Sequence, residues 1–131
     1  MALACTLMAS CGKSDAPIIF PEENFQTTVD GKDVSIYTLK SGDITMQVTN
    51  FGARVVSLWT PDRDGKYEDI VLGYNNIDNY INNPGERFLG AVVGPYANRI
   101  ANGTYTIGSE VYNFPQNNNG QTLHGGLKGL D

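Results

Sequence analysis

The sequence predicts an antiparallel, all-β fold, and three observations lead to this class. Several segments alternate polar and apolar residues with the two-residue period of a half-buried strand. Turn-forming residues separate these segments at short intervals. The 15 glycines, 7 tyrosines and many Asn and Thr residues favour β-structure with frequent turns. We therefore expect roughly eight short strands in one domain, with a single brief helical segment.

The first half of the domain is predicted to fold as consecutive antiparallel strands. Segments 34–39 and 44–48 alternate around a Ser-Gly-Asp turn and predict a β-hairpin. The alternation breaks at an Asn-Phe-Gly sequence, where Gly52 indicates a tight bend or bulge. Segment 53–60 is rich in Val and Leu, which predicts a strand buried on both faces. A Pro-Asp-Arg-Asp-Gly turn then leads to a returning strand at 67–72.

The second half contains one helical signal and a further hairpin. Segment 75–83 places apolar residues three and four apart, which permits one or two helical turns before a Pro-Gly stop. A short apolar run at 88–93 predicts a strand. Segments 104–107 and 110–114 flank Gly-Ser and predict a hairpin with a type II′ turn, whose first residue needs positive φ. Segment 115–121 is predicted to be a polar loop.

Charge, hydropathy and the types of residue present argue against several classes of partner and site. The net charge is −5 and no basic cluster occurs, so nucleic acids and anionic lipid surfaces are poor partners. No apolar run is long enough to span a bilayer as a helix. With one histidine and no second soft ligand near it, a transition-metal site is not expected. A neutral ligand such as a free sugar fits this balance but does not follow from it.

The N-terminus is similar to the end of a bacterial lipoprotein signal. Residues 1–11 form a short apolar stretch that ends in small residues before Cys11, although no Lys or Arg precedes it. We predict that 1–11 is the signal, that Cys11 carries lipid, and that 12–25 is a tether to a domain at 26–131. Cys5 then leaves with the signal, so no disulfide remains. The expected location is the bacterial cell envelope, anchored on the periplasmic or outer-membrane face. The alternatives are a disordered apolar N-terminus with two incidental thiols and a cytoplasmic location.

Three polar residues form the candidate ligand site, namely Asn98, Arg99 and His124. Arg is always charged and offers five donors in a fork, and Asn both donates and accepts, which suits sugar hydroxyls. The histidine precedes two glycines, which let the backbone approach closely. Asn98 and Arg99 face one site only if the chain turns between them. The alternatives remain a loop histidine bonded to backbone and a surface Asn-Arg pair.

Other candidates carry simpler interpretations. The three asparagines of 117–119 are expected to be a solvated loop, although a sugar contact is an alternative. Trp59 sits in an apolar strand, so a core position is favoured over a sugar-stacking platform. Asp62, Asp64 and Asp69 raise the alternative of a calcium site, but residues 62–65 are interpreted as an ordinary turn, because the further ligand series of a calcium loop is absent.

From about residue 26 to the end, consecutive motifs resemble those of aldose 1-epimerases, which interconvert the α and β anomers of free sugars. The motifs occur in one register as Asn50-Phe51-Gly52-Ala53, Pro61-Asp62, Asp69-Ile70-Val71-Leu72-Gly73, Gly90-Ala91-Val92-Val93-Gly94, Ala97-Asn98-Arg99-Ile100 and Leu123-His124-Gly125-Gly126. One departure is Pro95, where many relatives carry Arg.

The resemblance implies the N-terminal part of a large β-sandwich of the galactose mutarotase type, with a cleft for a hexose and no cofactor. It implies that Asn98 and Arg99 contact sugar hydroxyls and that His124, the candidate catalytic residue, holds the sugar near its ring oxygen. A second His as general acid and a late Glu as general base are expected beyond Asp131, so this chain alone is expected to be inactive. The alternative function is a non-catalytic sugar-binding or adhesive lipoprotein.

Overall fold

The computed structural model describes residues 14–86 and 88–130. Within them a four-stranded antiparallel sheet is accompanied by three two-stranded antiparallel sheets, which confirms the all-β prediction. The strands are β1 (Thr27–Val29), β2 (Lys32–Val34), β3 (Ile36–Ser41), β4 (Ile44–Thr49), β5 (Arg54–Pro61), β6 (Tyr67–Asp69), β7 (Arg99–Ile100), β8 (Thr104–Ile107), β9 (Glu110–Asn113) and β10 (Thr122–Leu123). One short helix, α1 (Asp78–Ile81), lies in the predicted helical segment.

The main sheet has the strand order β3-β4-β5-β6. The predicted hairpin forms between β3 and β4, where Ser41 pairs with Ile44 across the turn. At the predicted bend, Gly52 has φ +72°, a left-handed conformation that costs glycine little. Strand β6 ends at Asp69, earlier than predicted. Its Oδ1 accepts hydrogen bonds from the backbone amides of Leu58 and Val71, and the Ile70 amide donates to the Leu58 carbonyl at 2.9 Å, so side-chain and backbone bonds together hold the chain just beyond the strand.

Strand β5 is largely buried, as its composition predicts. It contains Arg54, which has no exposed surface, and its guanidinium carbon lies 5.1 Å from the ring centre of Phe51 and 5.3 Å from that of Tyr80. The Arg54 Nε donates to the Phe51 carbonyl at 3.1 Å. Contact with ring faces offsets part of the cost of burying this cation. Burial also raises the pKa of the Tyr80 hydroxyl.

The core extends into the segment that the sequence predicted to be a tether. Phe25 is fully buried and stands 6.4 Å from the Phe20 ring and 6.5 Å from the Tyr80 ring, centre to centre. The Phe20 backbone donates to Gln47 Oε1 at 2.8 Å, and Gln47 Nε2 donates back to the Phe20 carbonyl at 3.1 Å. Packing therefore begins before residue 26. Residues 1–13, which hold the predicted signal and Cys11, lie outside the described part.

The predicted strand at 88–93 does not form, and this correction has a local cause. Gly90 has φ +66°, which breaks an extended backbone. The segment still lies beside β5, because the Val55 amide donates to the Gly90 carbonyl at 3.0 Å and the Val92 amide donates to the Gly52 carbonyl at 3.1 Å. A Cβ atom at Gly90 would stand 2.1 Å from the Val55 carbonyl oxygen. Only glycine fits this approach without rearrangement.

The hairpin of β8 and β9 forms as predicted. Its Gly108 has φ +61°, the positive value that the first residue of a type II′ turn requires. Both strands are exposed along their length, and Tyr105 stacks on Tyr112 with ring centres 5.4 Å apart. Among the residues described, no helix is long and apolar enough to cross a membrane.

Candidate functional site

The pairing of β7 with β10 brings the two polar motifs together. Leu123 pairs with Arg99, so the residues just outside this pair, Asn98 and His124, become neighbours. The His124 amide donates to the Asn98 carbonyl at 3.0 Å. Asn98 has φ +65°, which is the backbone turn that both side chains need to reach one site. The structure therefore assembles the three predicted site residues around one short pair of strands.

The imidazole of His124 is held by the backbone of the opposite motif. The Asn98 amide donates to His124 Nδ1 at 3.1 Å, so Nδ1 acts as the acceptor. A neutral imidazole that accepts at Nδ1 carries its proton on Nε2. Because the His124 side chain is exposed, Nε2–H is a donor directed away from this bond and available to a ligand.

The guanidinium of Arg99 is oriented by two asparagines. Its Nε donates to Asn118 Oδ1 at 3.2 Å, and its Nη1 donates to Asn98 Oδ1 at 3.5 Å. These bonds use two of the five donors of the fork and fix its plane. Arg99 is exposed, so the fork is accessible to hydroxyl groups from solvent.

Gly125 lies where the motif that contains His124 contacts the motif that contains Gly94 and Pro95. Gly125 has φ +89°, and a Cβ there would stand 2.5 Å from Pro95 Cδ and 2.6 Å from the Gly94 carbonyl oxygen. The segment after His124 therefore packs directly on the Gly94-Pro95 step, whose peptide bond is cis. This approach explains why a glycine follows the histidine.

The sequence prediction missed the role of the asparagine loop. Asn119 and Gly120 have φ +48° and +76° and form a tight turn between Asn118 and Gln121, which bridge to each other. Asn117 then bonds to both sides of the His124 loop. The missed signal was Asn-Gly, because two successive residues with positive φ favour that dipeptide in a two-residue turn.

A cavity of about 500 Å³ opens beside His124. Its walls are mainly apolar, and in the described part of the chain Asn117 and His124 supply its polar side chains, whereas Asn98 and Arg99 are outside the lining. The lining consists of Gly52, Phe88, Ala91, Val92, Val93, Gly94, Asn117, Leu123, His124, Gly126, Leu127, Gly129 and Leu130. An apolar recess with few polar groups is typical of a small-molecule site.

Trp59 takes no part in this arrangement. It is 7% exposed within β5, as the core interpretation predicts, and its Nε1 has no hydrogen-bond partner among the described residues. In the same residues, no group of three or more His, Cys, Asp or Glu side chains is arranged to hold a metal ion.

Comparison with known families identifies the domain. The aldose 1-epimerase family model matches residues 35–131, which include the site and most of the described strands. The chain belongs to the aldose 1-epimerase family. Among curated relatives, it is 42% identical over 102 residues to a probable aldose 1-epimerase of Arthroderma benhamiae. It is 38% identical over 101 residues to the galactose mutarotase of Mus musculus.

These relatives are much longer than the present chain. The matches cover 75% and 77% of this chain but only 23% and 29% of the two relatives. The fold agrees with a GalM/aldose epimerase homologue from C. elegans at a TM-score of 0.64 and 34% identity, over 74% of this chain and 30% of that one. Galactose 1-epimerase from Lactobacillus acidophilus gives 0.62 and 29% identity, over 79% and 29%. The predicted galactose mutarotase type is thereby confirmed.

Proposed function

We propose that the gene product carrying this sequence is a mutarotase that interconverts the α and β anomers of free hexoses such as glucose and galactose. The observation that carries the proposal is the fixed imidazole. The Asn98 amide holds His124 Nδ1 as an acceptor, which leaves Nε2–H as a donor beside an apolar cavity. A neutral donor aimed at the sugar ring oxygen stabilises the negative charge that develops there when the ring opens.

Each site residue has a role in this reaction. Asn98 and Arg99 donate to sugar hydroxyls and orient the ring, and His124 donates to the ring oxygen. Opening the ring also requires proton removal from the anomeric hydroxyl and proton delivery to the ring oxygen. The family resemblance implies a second histidine as general acid and a late glutamate as general base, and residues 1–131 contain a single histidine. No cofactor enters this mechanism.

Polarimetry on freshly dissolved α-galactose and α-glucose tests the proposal. The gene product should approach anomeric equilibrium much faster than the spontaneous reaction does. A protein restricted to residues 1–131 should give no acceleration, because general acid and base groups contribute about 10²–10⁴-fold each. Sugar binding by the gene product without acceleration would instead support the non-catalytic sugar-binding function.

We also propose that Cys11 carries a lipid that tethers the domain to a membrane. The proposal rests on the residues before Cys11, and the first described residues beyond it pair with the main sheet. Ser14 exchanges two backbone hydrogen bonds with Tyr67, at 3.0 and 2.7 Å, and Asp15 forms an ion pair with Lys66 that lowers the carboxyl pKa. Tyr67 pairs with Pro61 at the end of β5, whereas Gly52 precedes its start and lines the cavity. Strand β5 has 8 residues, so its end beside Tyr67 and its start beside Gly52 are roughly 25 Å apart.

Mass spectrometry of the protein from its native host tests this anchor. We expect a mature N-terminus at Cys11 with a diacylglycerol mass on that residue. Cys11→Ser should remove the lipid and release the protein from the membrane fraction, whereas Cys5→Ser should leave both unchanged. Recovery of an unmodified peptide spanning residues 1–13 would contradict the proposal.

A further inference from the structure

The amide of Asn117 clamps the loop that carries His124. Its Oδ1 accepts from the Leu123 amide at 2.7 Å, and its Nδ2 donates to the Leu123 carbonyl at 3.0 Å and to the Gly126 carbonyl at 2.9 Å. One side chain therefore bonds to the residue before His124 and to the second residue after it. From this geometry we propose that Asn117 is a positioning residue for His124, an inference that rests on the mutarotase function proposed above.

The chemistry of the contacts separates positioning from sugar binding. A primary amide has two donors, and both are occupied by loop carbonyls. Asn117 lines the cavity, but it has no N–H left to offer a hydroxyl without giving up the loop. Toward a sugar it retains one lone pair on Oδ1, which Asp at this position would also offer, so its two donors act on the loop and on the imidazole that the loop holds.

The backbone of Asn117 is also held in place by hydrogen bonds. The Asn117 amide donates to the Gln121 carbonyl at 3.1 Å, and Gln121 closes the Asn-Gly turn by donating to the Asn118 carbonyl at 2.9 Å. Gly126 has φ +97°, and His124 itself has φ +49°. Gly125 between them has φ +89°. A loop with three successive residues at positive φ has little intrinsic preference for this shape, so side-chain bonds to its backbone decide where the imidazole points.

Asn117→Asp tests the clamp with minimal change in shape. The carboxylate keeps the acceptor for the Leu123 amide, but it has no hydrogen to donate and faces two carbonyl oxygens. We expect kcat/KM for mutarotation to fall by about 10- to 100-fold, the scale of effect that small misplacement of a reacting group produces. Asn119→Asp adds the same charge two residues away on an exposed left-handed position, and it should change kcat/KM by less than about twofold.

A double-mutant cycle distinguishes positioning from general damage. In a His124→Asn background the imidazole is already absent, so Asn117→Asp should lower kcat/KM further by less than about threefold. Equal fold losses in both backgrounds would overturn the proposal, because Asn117 would then act independently of His124. Wild-type activity in Asn117→Asp would overturn it as well.

Nuclear magnetic resonance provides a readout that does not depend on turnover. The imidazole ¹⁵N shifts of His124, assigned by their loss in His124→Asn, report which nitrogen carries the proton. At alkaline pH we expect the Nε2–H tautomer in the wild type and a mixture of tautomers in Asn117→Asp. An unchanged tautomer would overturn the positioning role. If the wild-type gene product lacks mutarotase activity, the proposed function fails, and these spectra still decide the effect of Asn117 on His124.

Discussion

Replacing His124 with asparagine should lower kcat/KM for mutarotation by about 10²-fold or more while leaving the fold unchanged. Asparagine tolerates left-handed backbone, and His124 has φ +49°. Its Oδ1 branches from the same carbon as the imidazole Nδ1, so it can still accept from the Asn98 amide. The change removes the Nε2–H donor and little else. Polarimetric initial rates, with thermal melting followed by circular dichroism, measure both effects.

Comparing His124→Ala with His124→Asn separates the loss of the Nε2–H donor from destabilisation of the loop. Alanine removes the donor and also the acceptor for the Asn98 amide, which is 3.1 Å from Nδ1 in the native structure. It also places a residue without a local polar side chain at positive φ, which costs about 1–2 kcal/mol. We therefore expect the same loss of activity with a lower melting temperature. Full activity in His124→Asn would contradict the role assigned to Nε2.

Phe25→Ala should lower the free energy of unfolding by about 3–5 kcal/mol, the usual cost of truncating a buried aromatic ring. Phe25 has no exposed surface and packs between the rings of Phe20 and Tyr80. The Asn24 carbonyl also accepts from the Ile77 amide at 2.9 Å, which ties this segment to the start of α1. Guanidinium denaturation of the gene product measures the loss.

Ile18→Ala is the matched control in the same segment. Ile18 is 53% exposed, so its truncation should cost less than about 1 kcal/mol. This pair of variants tests whether residues before 26 belong to the folded domain. Equal, small effects of both changes would show that the segment contributes nothing to stability and behaves as the flexible tether that its composition suggests.

The elements that the sequence predicted best depend on local interactions. The hairpin of β8 and β9 follows from alternation around a Gly-Ser pair, and Gly108 adopts the positive φ that this turn needs. The bend at Gly52 and the short helix α1 follow from equally local signals. In these cases the conformation with the lowest local free energy is also the one in the fold, so neighbouring residues suffice to predict it.

Segment 88–93 shows where local signals fail. Its apolar run is typical of a strand, but the chain bends at Gly90 to let its carbonyl bond to Val55. That bond joins residues far apart in sequence, and no pattern within the run contains it. In residues 20–25 as well, the contact that decides the structure joins residues far apart in sequence. Proline and glutamate suggest a tether, whereas burial of Phe25 against Tyr80 decides the structure.

Periodicity and turn signals in the sequence suffice to predict the all-β class, and the ordered motifs suffice to assign the family and to nominate Asn98, Arg99 and His124 as candidate site residues. The folded structure is needed to see which nitrogen of His124 accepts, that Asn98 and Asn118 orient Arg99, and that a different asparagine holds the loop. Except for the bond between the adjacent Asn98 and Arg99, these hydrogen bonds join residues 6 to 26 positions apart in sequence. Such bonds depend on distances of a few tenths of an ångström and on direction, which only the folded arrangement of β7, β10 and the Asn-Gly turn can set.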